Sequence, residues 1–494
     1  MKNQLARLRR WKFGRSSEQL ELAITQIELT LEVLTAVTPE PTPEPVAAVT
    51  VPPTTRRRHR PGRRALPAHL PRETIVHQSP EVVEGCGCAS CGGTLRKLGE
   101  DVAEVLELVP GFFKVIRHVR EKHTCRGCSR IVQPSAPSRP IERGVPGLAL
   151  LAHVMNSKFA HHFPLYRQSE IYARAGMPLD RSTLAQWVAA SCRLLAPLVS
   201  SLERYVLSAE KLHADDTPMP VLDPGRGRTK RGHLWSYVRD DRGSGGHDPP
   251  AVWFAYSPDR KGLHPQHHLR DFAGLLQTDA YAGFDAIAER RVLCLGHARR
   301  RFHDLHVAVG SPIALEALER IGKLYAIERR IKGCTPQERY RVRQVEAVPR
   351  LQALHAWLTD TLLKVSKSSE LAKAIRYTIK GAHWPALTYY CEDGRAEIDN
   401  LTVERQIRPV ALGRSNFLFA GSDTGVERAA VAYSLIGSAR LNGVDPEGYL
   451  RYVLERIADH PINRVSDLLP WNVPLAHTLP RVRDSSSPRP DVVA

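Results

Sequence analysis

Two C-x-x-C pairs constrain this chain more than any other feature. "CASCGG" supplies Cys88 and Cys91, "CRGC" supplies Cys125 and Cys128, and the intervening "EVLELVPGFFKVIRHVREKH" alternates apolar and polar residues as strands do. Each pair can turn two thiolates toward one tetrahedral ion, and four thiolates close the shell of a structural zinc site. Cys86 is a competing ligand that would shift the first pair by two residues, and inert buried thiols are the alternative use of the set. A closed four-sulfur shell has no open position, so zinc here serves folding and DNA contact rather than catalysis. The opening "MKNQLARLRRWKFG" lacks the apolar core of a secretion signal, so the nine cysteines are not expected to form disulfides. The expected compartment is reducing cytoplasm, and no apolar run is long enough to span a bilayer.

Seventy Lys and Arg against 52 Asp and Glu give a formal charge of +18, which favours a polyanion such as nucleic acid. Ser16 and Gln19 stand at capping-box spacing before a heptad seam of Leu20, Ile24, Ile27, Leu31 and Leu34, a dimer zipper or a single packed helix. A proline-rich linker follows, then "RRRHRPGRR", whose Arg56, Arg57, Arg58, Arg60, Arg63 and Arg64 form a phosphate-binding arm or a solvated linker. Between 145 and 207, "PLYRQSEIYARAGMPLDRSTLAQWVAASCRLLAPLV" offers two helices around a Gly-Met-Pro turn, the second capped by Asp180 or Ser182. A helix-turn-helix DNA reader has this pattern, and so does any helical hairpin.

After 207 the pattern becomes short strands rich in Val, Leu, Trp and Tyr. "LHADDTPMPVL" reads as a strand that stops on Asp215 and Asp216, with Thr-Pro ending it, and "LLQTDAYAGFD" stops on Asp279. Two carboxylates at one sheet edge repel unless metal ions bridge them. Downstream, Asn400 can cap a short helix carrying Glu404, although an i,i+4 ion pair with Arg408 is the plainer use of that acid.

The blocks "LHADDTPMPVLDPG", "LQTDAYAGF", "DNLTVERQIRPVALGRSNFLFAGSD" and "SARLNGVDPEGYL" resemble those of the insertion-sequence-sixty-six family of bacterial transposases. The likeness extends upstream to "RRWKFGRSSEQL", both knuckles and the helical stretch, in the family's order. It implies an RNase H-like catalytic core with an Asp-Asp-Glu triad, which falls on Asp215, Asp279 and Glu404. Neighbouring strand residues face opposite sides, so only one of Asp215 and Asp216 can be a ligand, and Asp215 is the choice. The triad would hold two Mg²⁺ or Mn²⁺ ions about 3.5–4 Å apart for in-line phosphoryl transfer. The implied reaction is 3′-end cleavage followed by strand transfer to target DNA.

The expected fold is thus multidomain α/β. It comprises an N-terminal helix (1–38), a linker (39–70), a zinc-ribbon-like module (71–140) and a helical DNA-binding region (141–207). The RNase H-like core (208–310 and 396–460) is split by a large helical insertion (311–395), and a tail (461–494) closes the chain. Arg299, Arg300 and Arg301 in "HARRRFHDL" and Arg414 are candidates for phosphate contact, and Trp384 for base stacking or core packing. Expected partners are double-stranded DNA at the transposon ends and target, a second copy of the chain, and companion proteins of the same element. The rival readings are a zinc-dependent DNA-binding protein without catalysis, from a decayed or domesticated transposase, and a serine-nucleophile recombinase.

Overall fold

The structure, a computed structural model, describes residues 66–79, 82, 88–109, 111–141, 144–287 and 290–474. The heptad segment, the six arginines of the 56–64 arm, Cys86 and the tail beyond 474 lie outside the described residues. Contacts group Ala65–His303 with Pro312–Ala494 as one unit, and the architecture below is that unit's. Residues Asp304–Ser311 fall in the other unit and contain the last turns of one helix. Among the described residues there are two sheets and thirteen α-helices. None of these helices is long and apolar enough to cross a membrane.

The first sheet contains β1 (Arg72–His77), β2 (Leu95–Val109), β3 (Phe112–Cys125) and β4 (Ile131–Val132), in the order β1-β3-β2 with β4 pairing β3. Alternation decides which face is covered: Phe113 and Val115 in β3 are buried, while Phe112, Lys114 and Ile116 between and beside them stay at least partly exposed. The antiparallel register sets Cys125 opposite Leu95, which returns the second knuckle to the first.

Three helices follow: α1 (Leu148–Phe159), α2 (Leu165–Arg174) and α3 (Arg181–Leu207). Gly176, at φ +80°, makes the turn before α3, and the Ser169 hydroxyl donates to Leu179 O across it at 2.5 Å. The expected side-chain cap of α3 does not form: Asp180 occupies the N-cap position without a capping bond, and Ser182 lies inside the helix. Helix α3 runs 27 residues and buries Leu184, Trp187, Leu195, Leu198 and Leu202 in the main apolar core.

The second sheet has the order β7-β6-β5-β8-β9, from β5 (Lys211–Asp223), β6 (Arg228–Arg239), β7 (Ala251–Ser257), β8 (Leu275–Thr278) and β9 (Arg291–Leu293). Strands β5, β6 and β7 form an antiparallel meander, and β8 and β9 extend it in parallel with β5. Strand β5 does not stop at the acids. It continues through Pro218 and Pro220 to Asp223, fully paired with β6. The prolines are tolerated because of where their backbone faces. Pro220 O accepts from Ala420 N–H and Leu222 N–H donates to Ala420 O, so these even-numbered residues turn their backbone away from β6, where a missing N–H breaks no ladder bond. On that side β8 pairs only with Lys211–His213. Asp215 therefore stands where the sheet opens.

Helix α4 (Leu263–His268) leads into β8, and α5 (Leu295–Val309) follows β9. Next come α6 (Pro312–Arg330), α7 (Pro336–Val342), a π-turn (Arg343–Ala347), α8 (Val348–Lys364), α9 (Glu370–Ile379) and α10 (His383–Thr388). The chain returns to the sheet with α11 (Leu401–Phe417), α12 (Asp423–Leu441) and α13 (Pro446–Arg456). Helix α12 covers the outer strand β7: the Ser434 and Ser438 hydroxyls accept from Phe254 N–H at 2.8 Å and Val252 N–H at 3.0 Å. Trp235, Tyr237 and Leu234 from β6 lie in one core with Leu150, Leu195 and Ile436, each such side chain contributing about 1.5–3 kcal/mol by burial.

Candidate active site

The segment that carries Glu404 is brought near enough for its charge to act on Asp215 because the chain returning from the helical segment is fastened to the sheet. Lys211, fully buried in β5, donates to Arg395 O at 3.0 Å and lies 3.6 Å from the Glu397 carboxylate. Arg343, equally buried, holds Glu328 at 2.6 Å and donates to Tyr390 O and Ala396 O at 2.7 and 2.9 Å. A buried ion pair needs such satisfied partners to offset its desolvation. Gln277 in β8 donates to Glu397 O and Asp399 O at 2.8 and 2.9 Å and accepts from Glu397 N–H at 2.8 Å.

Asn400 completes the attachment. It sits at the N-cap position of α11, but its side chain does not cap, and the helix is 17 residues long rather than short. The Asp399 carboxylate accepts from Leu401 N–H at 3.2 Å, while Asn400 Nδ2 donates to Ala214 O at 3.0 Å. Asn400 Oδ1 lies 2.9 Å from His213 Nδ1. Burial, with Lys211 adding to it, depresses His213 to about 4, so the ring is neutral and Nδ1 carries the donated proton. Asn400→Ala leaves a buried N–H and a buried carbonyl without partners, an expected loss of about 2–4 kcal/mol read from the denaturant midpoint. A change below about 0.5 kcal/mol contradicts this attachment.

Asp215 then sits one residue beyond Ala214, Asp279 directly after β8, and Glu404 in the first turn of α11. Burial pushes Asp215 up to about 8, and the charges of Asp279, Asp216 and Glu404 push the same way, against one N–H bond from Asp216 at 2.7 Å. Among the described residues no cation pairs with Asp215. Asp216 has the opposite environment: burial raises it, but His233 at 2.6 Å and Arg260 at 2.7 Å hold it below the ordinary carboxylate range. Arg260 also lies 3.9 Å from Asp279 and stacks on Tyr281. The ion pair of Glu404 with Arg408 does not form; Glu404 faces His297 Nε2 at 3.9 Å.

Of the candidate phosphate contacts, Arg299, Arg300 and Arg301 are exposed on α5, with Arg301 over the Tyr377 ring. Arg414 turns inward and donates to Thr217 Oγ1 at 3.1 Å and to Pro218 O, bracing β5. Trp384 is half-buried against His355. Gln277, Arg260, His297 and Cys294 were not singled out by the sequence pattern. Their visible signals are a polar residue inside the apolar "LLQT" and the C-x-x-H spacing of "CLGH".

In the first sheet, the sulfurs of Cys88, Cys91, Cys125 and Cys128 all lie within 4.8 Å of one another. Cys88 meets Cys128 at 3.5 Å and Cys91 meets Cys125 at 3.4 Å. A Cβ at Gly93 would come within 3.0 Å of Cys125 Sγ, and one at Gly127 within 3.3 Å of Cys91 Sγ, so glycine keeps the sulfurs' surroundings clear. N–H bonding, led by Cys128, lowers the Cys125 thiol to about 6. Four converging thiols in a small sheet fit a structural zinc ion.

Comparison with known proteins agrees with this layout. The family model described as "Transposase IS66 family" matches residues 143–428, and "IS66 C-terminal element" matches 434–471. "Zinc-finger binding domain of transposase IS66" matches 86–129, and "Transposase C of IS166 homeodomain" matches 1–75. The uncharacterized proteins y4hP and y4jD of Sinorhizobium fredii (strain NBRC 101917 / NGR234) are 41% and 40% identical to this chain. The first alignment covers 94% of this chain and 87% of the relative, the second 82% and 81%. With four consecutive family segments matched in order, this chain belongs to the IS66 family of transposases.

Proposed function

We propose that this chain cuts the 3′ ends of an insertion sequence and joins them to target DNA at a single site formed by Asp215, Asp279 and Glu404. The observation that carries this reading is a buried carboxylate, Asp215, set among anionic neighbours and paired with no cation among the described residues. Such a group is costly unless a cation is supplied from solution, and hard divalent ions take oxygen ligands of this kind. We read the β5–β9 sheet as an RNase H-like core, with α6–α10 inserted ahead of the helix that bears Glu404.

Asp215, Asp279 and Glu404 would together supply the hard oxygen ligands that hold the divalent ions. Bound magnesium or manganese supplies an activated water or 3′-hydroxyl and stabilises the departing oxygen. Asp216, committed to His233 and Arg260, is withdrawn from ligation and fixes Arg260 beside Asp279. Arg299 and Arg300 are placed to meet backbone phosphates. The four-cysteine module would carry zinc for folding and DNA contact. We assign the working complex to a homo-oligomer on double-stranded DNA in the cytoplasm, with companion proteins of the element as further partners.

The test is incubation of the purified chain with labelled duplexes carrying the element's ends, in Mg²⁺ or Mn²⁺. Nicks that leave 3′-hydroxyls at the ends are expected. Tight end binding with no nicking in either metal overturns the catalytic reading in favour of a zinc-dependent DNA-binding protein.

A further inference from the structure

A second set of donors lies beside the carboxylates and has different chemistry. Cys294 follows β9 directly, His297 stands three residues on in the first turn of α5, and Glu404 lies in the first turn of α11. Ligand atoms of all three lie within 4.8 Å of one another. Residues three apart at a helix start share a face, which is how C-x-x-H turns a sulfur and an imidazole toward one point. The local backbone holds that point. Cys294 N–H donates to Thr278 O at 3.1 Å, Leu295 N–H to Ile398 O at 3.1 Å, and Asn400 N–H to the Cys294 sulfur at 3.2 Å. Two helix N-termini thus converge on the sulfur and carboxylate, where their field favours anionic donors. The buried Nδ1 of His297 has no hydrogen-bond partner among the described residues.

We propose that Cys294, His297 and Glu404 form a site for a soft divalent cation of the zinc or cobalt class, exclusive with the hard-cation site. Thiolate and imidazole select such ions over magnesium, which prefers oxygen alone. In a tetrahedral zinc shell the donors stand about 3.3–3.8 Å apart, so the present spacing closes with inward shifts of less than about 1 Å. Three protein ligands leave a fourth position for water. Glu404 cannot serve both sites, so zinc captured here withdraws it and stops DNA cleavage. This last step rests on the reading of Glu404 as a magnesium ligand; the metal site itself does not.

The experiment uses full-length protein whose four-cysteine module is already zinc-loaded, titrated with Co²⁺. One further cobalt per chain with the ligand-field spectrum of a four-coordinate ion is expected, at least about tenfold weaker in both Cys294→Ser and His297→Gln. Asp215→Asn, which leaves all three donors in place, retains it, and matching melting curves verify that each variant is folded. In parallel, nicking in Mg²⁺ is compared with and without zinc for wild type and Cys294→Ser. Wild type is inhibited as zinc fills the second site, and the ratio moves toward unity in Cys294→Ser. No such cobalt in wild type, or a four-coordinate cobalt that both variants keep, overturns the site. A cobalt bound by wild type and lost in the variants, with wild-type nicking untouched by zinc, keeps the site and overturns Glu404 as a magnesium ligand.

Discussion

Asp215→Asn is expected to lower Mg²⁺-dependent nicking by on the order of 10³-fold or more, the scale seen when a preorganised electrostatic group is lost from an active site. The same substitution is expected to make the metal-free protein more stable, and the opposed directions separate a catalytic role from a structural one. The sign follows from linkage. Burial and anionic neighbours raise Asp215 from 3.8 to about 8 on folding, so the folded state holds its proton more tightly than the unfolded chain does. The stability of the metal-free protein therefore falls as pH rises from about 4 to 8, by on the order of a few kcal/mol at one pKa unit per ~1.4 kcal/mol. Asparagine has no proton to lose, so the variant escapes this decline. Mg²⁺ added at pH 8 should raise the wild-type melting temperature and leave that of the variant nearly unmoved. Full nicking by the variant, or a lower melting temperature for it without metal, contradicts the assignment.

Removal of zinc is expected to have the second largest effect. The module has few layers to bury its strands, and metal-linked folding of comparable domains amounts to about 10 kcal/mol or more. Cys125→Ser breaks the closest sulfur pair and leaves three thiols facing a hydroxyl, a poor zinc ligand. Protease cleavage between 88 and 128 should become rapid while the core from 148 onward stays resistant, and affinity for end DNA should fall. Unchanged affinity after verified zinc loss would show that the module does not contact DNA.

Local chemistry made part of this architecture legible in advance. The cysteine spacing marked the four sulfurs that meet, because C-x-x-C carries its geometry within four residues. Short runs rich in Val, Leu, Trp and Tyr marked the β5–β9 segments, and adjacent acids marked one strand as unusual. What went unread depended on distant partners. Thr-Pro after Asp216 looked like a stop, yet the strand continues because β6 lies on one side only at that level, a fact of sheet order that no window reveals. Asn400 looked like a cap because Asn before a helix usually is, and the buried pair His213 and Ala214, far upstream, took its side chain instead. Likewise, i,i+4 spacing favoured Glu404 with Arg408, and the fold turned Glu404 toward His297. Gln277 and Arg343 went unnoticed because their value lies in carbonyls brought near only by the completed chain.

The two serines of α12 bear on how this protein is made. They occupy the outer strand's donors at Val252 and Phe254 from 186 and 180 residues further along. At about 5–20 residues per second, a ribosome delivers them on the order of ten seconds or more after that strand has emerged. Throughout that interval the nascent sheet has an open side that can zip onto a neighbour's. Synthesis on crowded polysomes therefore favours entanglement between sibling chains, and a chaperone that shields the strand until the helix arrives should raise the yield of usable protein.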